Sequence, residues 1–263
     1  MKKLLSLALA AACLFMMFAF AGCGSSDGSD LEYVKNKGTL VVGITEFAPM
    51  DYKNENGEWI GFDADMAKAF AESLGVKVEF VVIDWDSKIM ELDAKSIDCV
   101  WNGMTLTTEV MNSMETSNAY CKNAQVVVVP ADKAQQYSTV DSVKSLSFAV
   151  EAGSAGEAAA KELGANITSV QAQADALLEV AAGTSDACAI DLLMAGAMIG
   201  EGTSYENLTY TVELNSEEYG VGFRKGSDLA AELNKFFVEA YGDGSMMETA
   251  KLYGVQESII EQK

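Results

Sequence analysis

Three short stretches hold the residues best suited to chemistry. SDACAID ends on Asp191, a carboxylate at the close of an apolar run. A carboxylate ending a buried strand needs a counter-charge or several hydrogen-bond donors. The alternative is that Asp191 caps LLMAGAM, the helix that follows. Residues 102–120, NGMTLTTEVMNSMETSNAY, combine a glycine, several hydroxyls and a helix start, the make-up of a small-molecule pocket rim. Gly103 permits close backbone approach. Thr105 or Thr107 can cap the next helix, and the same helix start offers free amides to an anion. EAGSAGE places Ser154 at another helix start. What the rim lacks is a long cationic side chain. Trp85, between Asp84 and Asp86 just past an apolar strand, occupies a poor position for a core residue. With no histidine in the chain, acid–base work would fall to Asp, Glu or Lys, and no pair is arranged to argue for it.

These residues need a scaffold, and the periodicity supplies one. LVVGIT is a strand, FDADMAKAFAESLG a helix stopped by Gly75, VKVEFVVI a strand, DSKIMELDAKS a helix and CVWNGM a third strand. YKNENGEWIG reads as a hairpin or tight loop. The rhythm restarts at QVVVV (125–129), with Pro130 following where the chain could cross between lobes. Alternating strands and helices indicate an open α/β sheet, here twice over. Met90–Gly103 aligns with Leu178–Asp191 at an offset of 88 residues, with Glu91, Ala94 and Asp98 matched by Glu179, Ala182 and Asp186. Two similarly built lobes are expected.

The ends and the composition bound the setting. Lys2 and Lys3, the apolar run Leu4–Ala21 and Gly22-Cys23 form a secretory signal over residues 1–22, an uncleaved membrane anchor being the alternative. FAGC resembles a bacterial lipobox, which makes Cys23 the expected lipidation site, with 23–30 as a flexible tether. The formal charge of −21 excludes a basic face for nucleic acid and suits a soluble protein outside the cell. Cys99, Cys121 and Cys188 stand at no metal-ligand spacing, so neither a metal nor a cofactor is expected. One disulfide with a free thiol and three buried free thiols both fit them.

Five blocks in order resemble the polar-amino-acid solute-binding proteins (family 3) of bacterial ABC importers: the stretch from GTLVVGITEF to GVKVEF, DWDSKIMELDAKSIDCVWNGMTLTTE, QVVVV, GTSDACAID and YGVGFRKGSDLAAELNKFF. The resemblance implies a two-lobed periplasmic-binding-protein-like α/β fold of type II, with two crossover strands and ligand in the interlobe cleft. It divides the chain into 31–124 with 217–263 as lobe 1 and 125–216 as lobe 2. It also implies a lipid-anchored, extracytoplasmic monomer that binds an amino acid or related small amine and serves an ABC permease.

Carried onto this sequence, the family pattern makes Phe47 and Trp85 ligand-facing aromatics and Asn102, Gly103, Thr105 and Ser154 hydrogen-bonding positions. Asp191 becomes the acceptor for the ligand's α-ammonium group, with Glu46 and Asp51 as further candidates near the rim. Trp101, one residue off the ligand-facing position, is expected to be buried. The family's carboxylate-binding arginine is replaced by Val110, and Arg224, the only arginine, falls in the terminal-strand block. A lysine or helix amides then hold a ligand carboxylate, or the ligand is a cationic amine without one. A dehydratase-like enzyme on the same fold is the alternative from another class.

Overall fold

Strand β1 (Thr39–Ile44) sits inside the first sheet because its β-branched and leucine side chains are buried on both faces. It follows the helix Asp30–Lys37, which Gly38 ends in a left-handed conformation. The computed structural model describes residues 28–263; the expected signal over residues 1–22, Cys23 and the start of the expected tether lie outside the described residues. Asn54 organises the hairpin of β2 (Tyr52–Lys53) and β3 (Trp59–Ile60), its side-chain oxygen accepting from the amides of Asn56 and Glu58. The helix Phe62–Ser73 and β4 (Lys77–Val82) follow, then the helix Lys88–Asp93 and β5 (Cys99–Thr105).

The first sheet is completed by β6 (Glu115–Thr116), β7 (Cys121–Asn123) and, from near the C-terminus, β13 (Glu217–Phe223). Its order is β4-β1-β5-β13-β6, with β7 also paired to β13. The second sheet contains β8 (Gln125–Pro130), β9 (Ser147–Glu151), β10 (Asn166–Val170), β11 (Ala187–Asp191) and β12 (Leu208–Glu213) in the order β10-β9-β11-β8-β12. Each sheet thus has three parallel strands followed by one antiparallel strand. The result is the two-lobed α/β fold the sequence implies. The chain crosses at Ala124 and returns over 214–216. Pro130 is not at the crossing: it pairs with Leu208 inside the second sheet.

The sequence repeat is a structural repeat. Asp98 donates its backbone amide to the Val41 carbonyl and accepts the Val41 amide on its carboxylate; Asp186 does the same with Ser147. Lys95 has φ 61 where Gly183 has φ 74, so both turns need the left-handed conformation and only one uses glycine. The same offset makes Gly103, two residues before the end of β5, the counterpart of Asp191 at the end of β11. The helix Leu229–Gly242 returns to the first sheet, where Phe237 packs edge-on against the buried Trp101 at 5.7 Å between ring centroids. Cys99, Cys121 and Cys188 are buried free thiols. None of the described helices is long and apolar enough to cross a membrane.

Candidate functional site between the lobes

A cavity of about 330 Å³ lies between the strand ends of the two sheets. Phe47, Trp85, Asn102, Gly103, Thr105, Val110, Ser154 and Asp191 all line it, although they are scattered over the sequence. Glu46 and Asp51 do not. Glu46 is exposed outside the cavity, and Asp51 is fully buried behind it, accepting from the Asn102 amide at 2.7 Å. Their expected place on the rim is corrected accordingly.

Lining a cavity does not leave a group free to bind. The Asn102 oxygen accepts from the amide and hydroxyl of Thr45, while its nitrogen donates to Thr45 O and Asp51 Oδ2. Its amide is spent within the first lobe. Gly103 N donates to Asp63 Oδ2 at 2.7 Å, so this amide is spent too. A Cβ on Gly103, whose φ is +54, would lie 2.4 Å from the Phe47 ring. The close approach that the glycine permits is therefore by Phe47. Thr105 donates its hydroxyl to Glu217 at 3.0 Å, and Thr107 is the helix cap, accepting from Val110 N. Ser154 caps its helix by accepting from Glu157 N, which leaves the serine proton to donate.

Asp191 does not cap the following helix with its side chain. Its carboxylate accepts from Asn123, Gln173 and Tyr219, satisfying the requirement for several donors. Burial and the nearby Glu217 charge still push its pKa up to about 7, against the lowering effect of those bonds. A cation entering the cavity would restore its ionised form.

Lys88, Glu151 and Gln173 are among the lining residues that went unread in the sequence. Lys88 is 8 % exposed and donates to Trp85 O at 3.0 Å and, across the cleft, to Gly153 O at 3.1 Å. Its ammonium lies 4.8 Å from the Trp85 ring centroid. Burial lowers its pKa, opposed by Glu151, Glu109 and Asp86. Glu151 ends β9 much as Asp191 ends β11, a signal visible in FAVE beside ACAID. Burial first, then the Asp191 charge, push Glu151 up to about 8. Gln173 bridges to Asp191 through both its amide nitrogen and its oxygen.

The missing arginine now has a physical setting. Val110 is 5 % exposed and packs with Trp85, Met104 and Met114 in an apolar cluster. Arg224 is far from that position in role, held by Asp30 and by the Ile97 carbonyl. Lys88 is the one cationic side chain among the lining residues, against Asp86, Glu109, Glu151 and Asp191. No group of three or more His, Cys, Asp or Glu among the described residues is placed to hold a metal ion.

Residues 40–256 match the bacterial extracellular solute-binding proteins, family 3, and the chain belongs to this family. The arginine-binding extracellular protein ArtP of Bacillus subtilis is 31 % identical over 258 residues, covering 95 % of this chain and 97 % of its own. Among solved structures, the ancestral amino acid-binding protein AncCDT-1, described as a precursor of cyclohexadienyl dehydratase, has a TM-score of 0.79 at 32 % identity. That match covers 86 % of this chain and 99 % of the other. An ABC uptake transporter substrate-binding protein from Streptococcus pneumoniae, solved with bound histidine, has a TM-score of 0.77 at 29 % identity, covering 87 % and 97 %.

Proposed function

We propose that this protein is an extracytoplasmic receptor that captures an amino acid or related small amine in the interlobe cavity and delivers it to an ABC permease. The observation that carries this reading is Asp191: a carboxylate that lines the cavity, with donors on every side and a pKa still raised by burial. Such a group gains most from a ligand cation, here the α-ammonium. Lys88 and the helix start at Ala155 stand ready for the α-carboxylate, replacing the arginine that Val110 lacks. Phe47 and Trp85 supply aromatic faces and Ser154 a hydroxyl, while the first-lobe groups Asn102, Gly103 and Thr105, whose donors are spent within the protein, act by fixing the wall. Residues 31–124 with 217–263, and 125–216, are the bodies that close on the ligand, since differential affinity for the closed state drives closure. Lipidated Cys23 keeps the receptor at the membrane as a monomer.

A calorimetric screen of amino acids against the protein, paired with Asp191→Asn, tests the reading. Binding of at least one amino acid that this substitution weakens is the expected result. A matched panel of decarboxylated amines decides the cationic-amine alternative, which the excess of carboxylates in the lining favours. If removing the ligand's carboxylate leaves affinity within a few-fold, that alternative replaces the amino acid.

An enzyme on the same fold is favoured by one observation: Glu151 and Lys88 have opposed pKa shifts in one cavity, the pattern of an acid–base pair. Following a bound ligand by NMR separates the two readings, because a receptor returns it unchanged.

A further inference from the structure

Glu151 is the part of the cavity that an α-amino-acid backbone alone does not explain. It is 2 % exposed, yet its Oε1 has no hydrogen-bond partner. Leaving a buried carboxylate oxygen unpaired is costly, so such an atom calls for a proton or a bound group. Lys88 does not supply the partner: its ammonium donates to the carbonyls of Trp85 and Gly153, which leaves one N–H over, and it forms no ion pair with Glu151. The other charges that bear on Glu151 are Asp191 and Asp175, both of its own sign. Glu151 and Asp191 end neighbouring parallel strands, β9 and β11, which brings two carboxylates to one wall.

Building on the receptor reading, we infer that the cavity selects a ligand with two cationic groups and one carboxylate, a basic amino acid whose side-chain cation is taken by Glu151 Oε1. Asp191 then holds the α-ammonium and Lys88 the carboxylate, so each charged ligand group meets a buried opposite charge. Glu151 is the specificity-determining residue: a neutral side chain would leave its carboxylate unpaired or force it to keep a proton. The raised affinity of Glu151 for protons, up to about 8, makes this measurable. A cation that ionises Glu151 must expel its proton, whereas an anion or a neutral acceptor would keep it bound.

The test is isothermal calorimetry on the purified protein with arginine, lysine and ornithine against their neutral counterparts citrulline, norleucine and glutamine. Each titration is run near pH 7 in buffers of different ionisation enthalpy. At least one basic ligand should bind about tenfold or more tighter than its neutral counterpart. Glu151→Gln should cut that ratio to within about threefold while sparing affinity for the neutral member, and should lower the number of protons released. Neutral members binding as tightly as basic ones to the wild-type protein would overturn the inference and leave the receptor reading standing, a comparison that needs no variant. An unchanged ratio in folded Glu151→Gln would also overturn it. Failure of every amino acid to bind would bring down both.

Discussion

The ammonium of Lys88 in one lobe donates to the carbonyl of Gly153 in the other, at 3.1 Å, so a lining residue of the cavity also ties the lobes together. Gly153 has φ +71, and a Cβ there would lie 2.6 Å from the backbone Cα of Asp86. Gly153→Ala therefore prevents this approach twice over, by backbone strain and by collision across the cleft. Weaker ligand binding is expected, with an opened cleft measurable as a larger radius of gyration in X-ray scattering. Unchanged affinity and dimensions would show that the contact does not control closure.

Lys88→Met keeps most of the apolar stem and removes the charge. If Lys88 holds the ligand carboxylate, the substitution should cost about 2–5 kcal/mol in calorimetric binding of an amino acid. It should cost little for the decarboxylated counterpart. Equal losses for both ligands would assign Lys88 to lobe closure alone.

Asp191→Asn keeps one oxygen for Asn123 and Tyr219, which both donate to Oδ1, but sets an NH2 against the Gln173 donor and loses the negative charge. Amino-acid affinity should fall by about 2–5 kcal/mol, a larger effect than the Gln173 mismatch has on the thermal midpoint. A loss confined to stability would make Asp191 structural.

The pH dependence of the ligand-free protein follows from four buried carboxyl groups, of which Asp51 is raised well above the usual carboxylate range by burial and the nearby Asp63 charge. Burial raises Asp63 and Asp191 to about 7 and Glu151 to about 8. Groups raised in the folded state bind protons more tightly there than when unfolded. Their stabilisation is complete below the unfolded carboxylate range and is lost as pH rises through 7 to 8. Asp186 and Glu157, lowered by their hydrogen bonds, act in the opposite sense and lose their contribution as pH falls below the usual carboxylate range. Calorimetric melting temperatures should therefore fall between pH 5.5 and 8.5, at up to about 1.4 kcal/mol per pH unit for each raised group. A rising curve over that interval would contradict the burial of these charges.

Cys23→Ser should abolish lipid attachment and release the protein from the membrane fraction, read by metabolic lipid labelling and immunoblotting. Retention on the membrane would instead point to an uncleaved N-terminal helix.

Apolar runs, glycine stops and the 88-residue repeat were enough to indicate two α/β lobes and their main strands and helices, but not β6, β7, β10 or β12, and the cleft followed only from the family resemblance. Burial patterns and turn conformations are local properties, written within a few residues of where they act. The repeat even pairs Gly103, near the end of β5, with Asp191 at the end of β11. What each polar group does was decided elsewhere. Asn102 is consumed by Thr45, 57 residues away, Gly103 by Asp63, 40 residues away, and Thr105 by Glu217, 112 residues away. Lys88 looked like an ordinary residue at a helix start until the turn at Trp85 folded it over the ring and against Gly153. Glu151 stands out only because no donor from any other element reaches its Oε1. Hydrogen-bond capacity is filled by whichever partner the fold brings near, so a sequence shows which groups can bind, and the tertiary structure alone decides which remain free to do so.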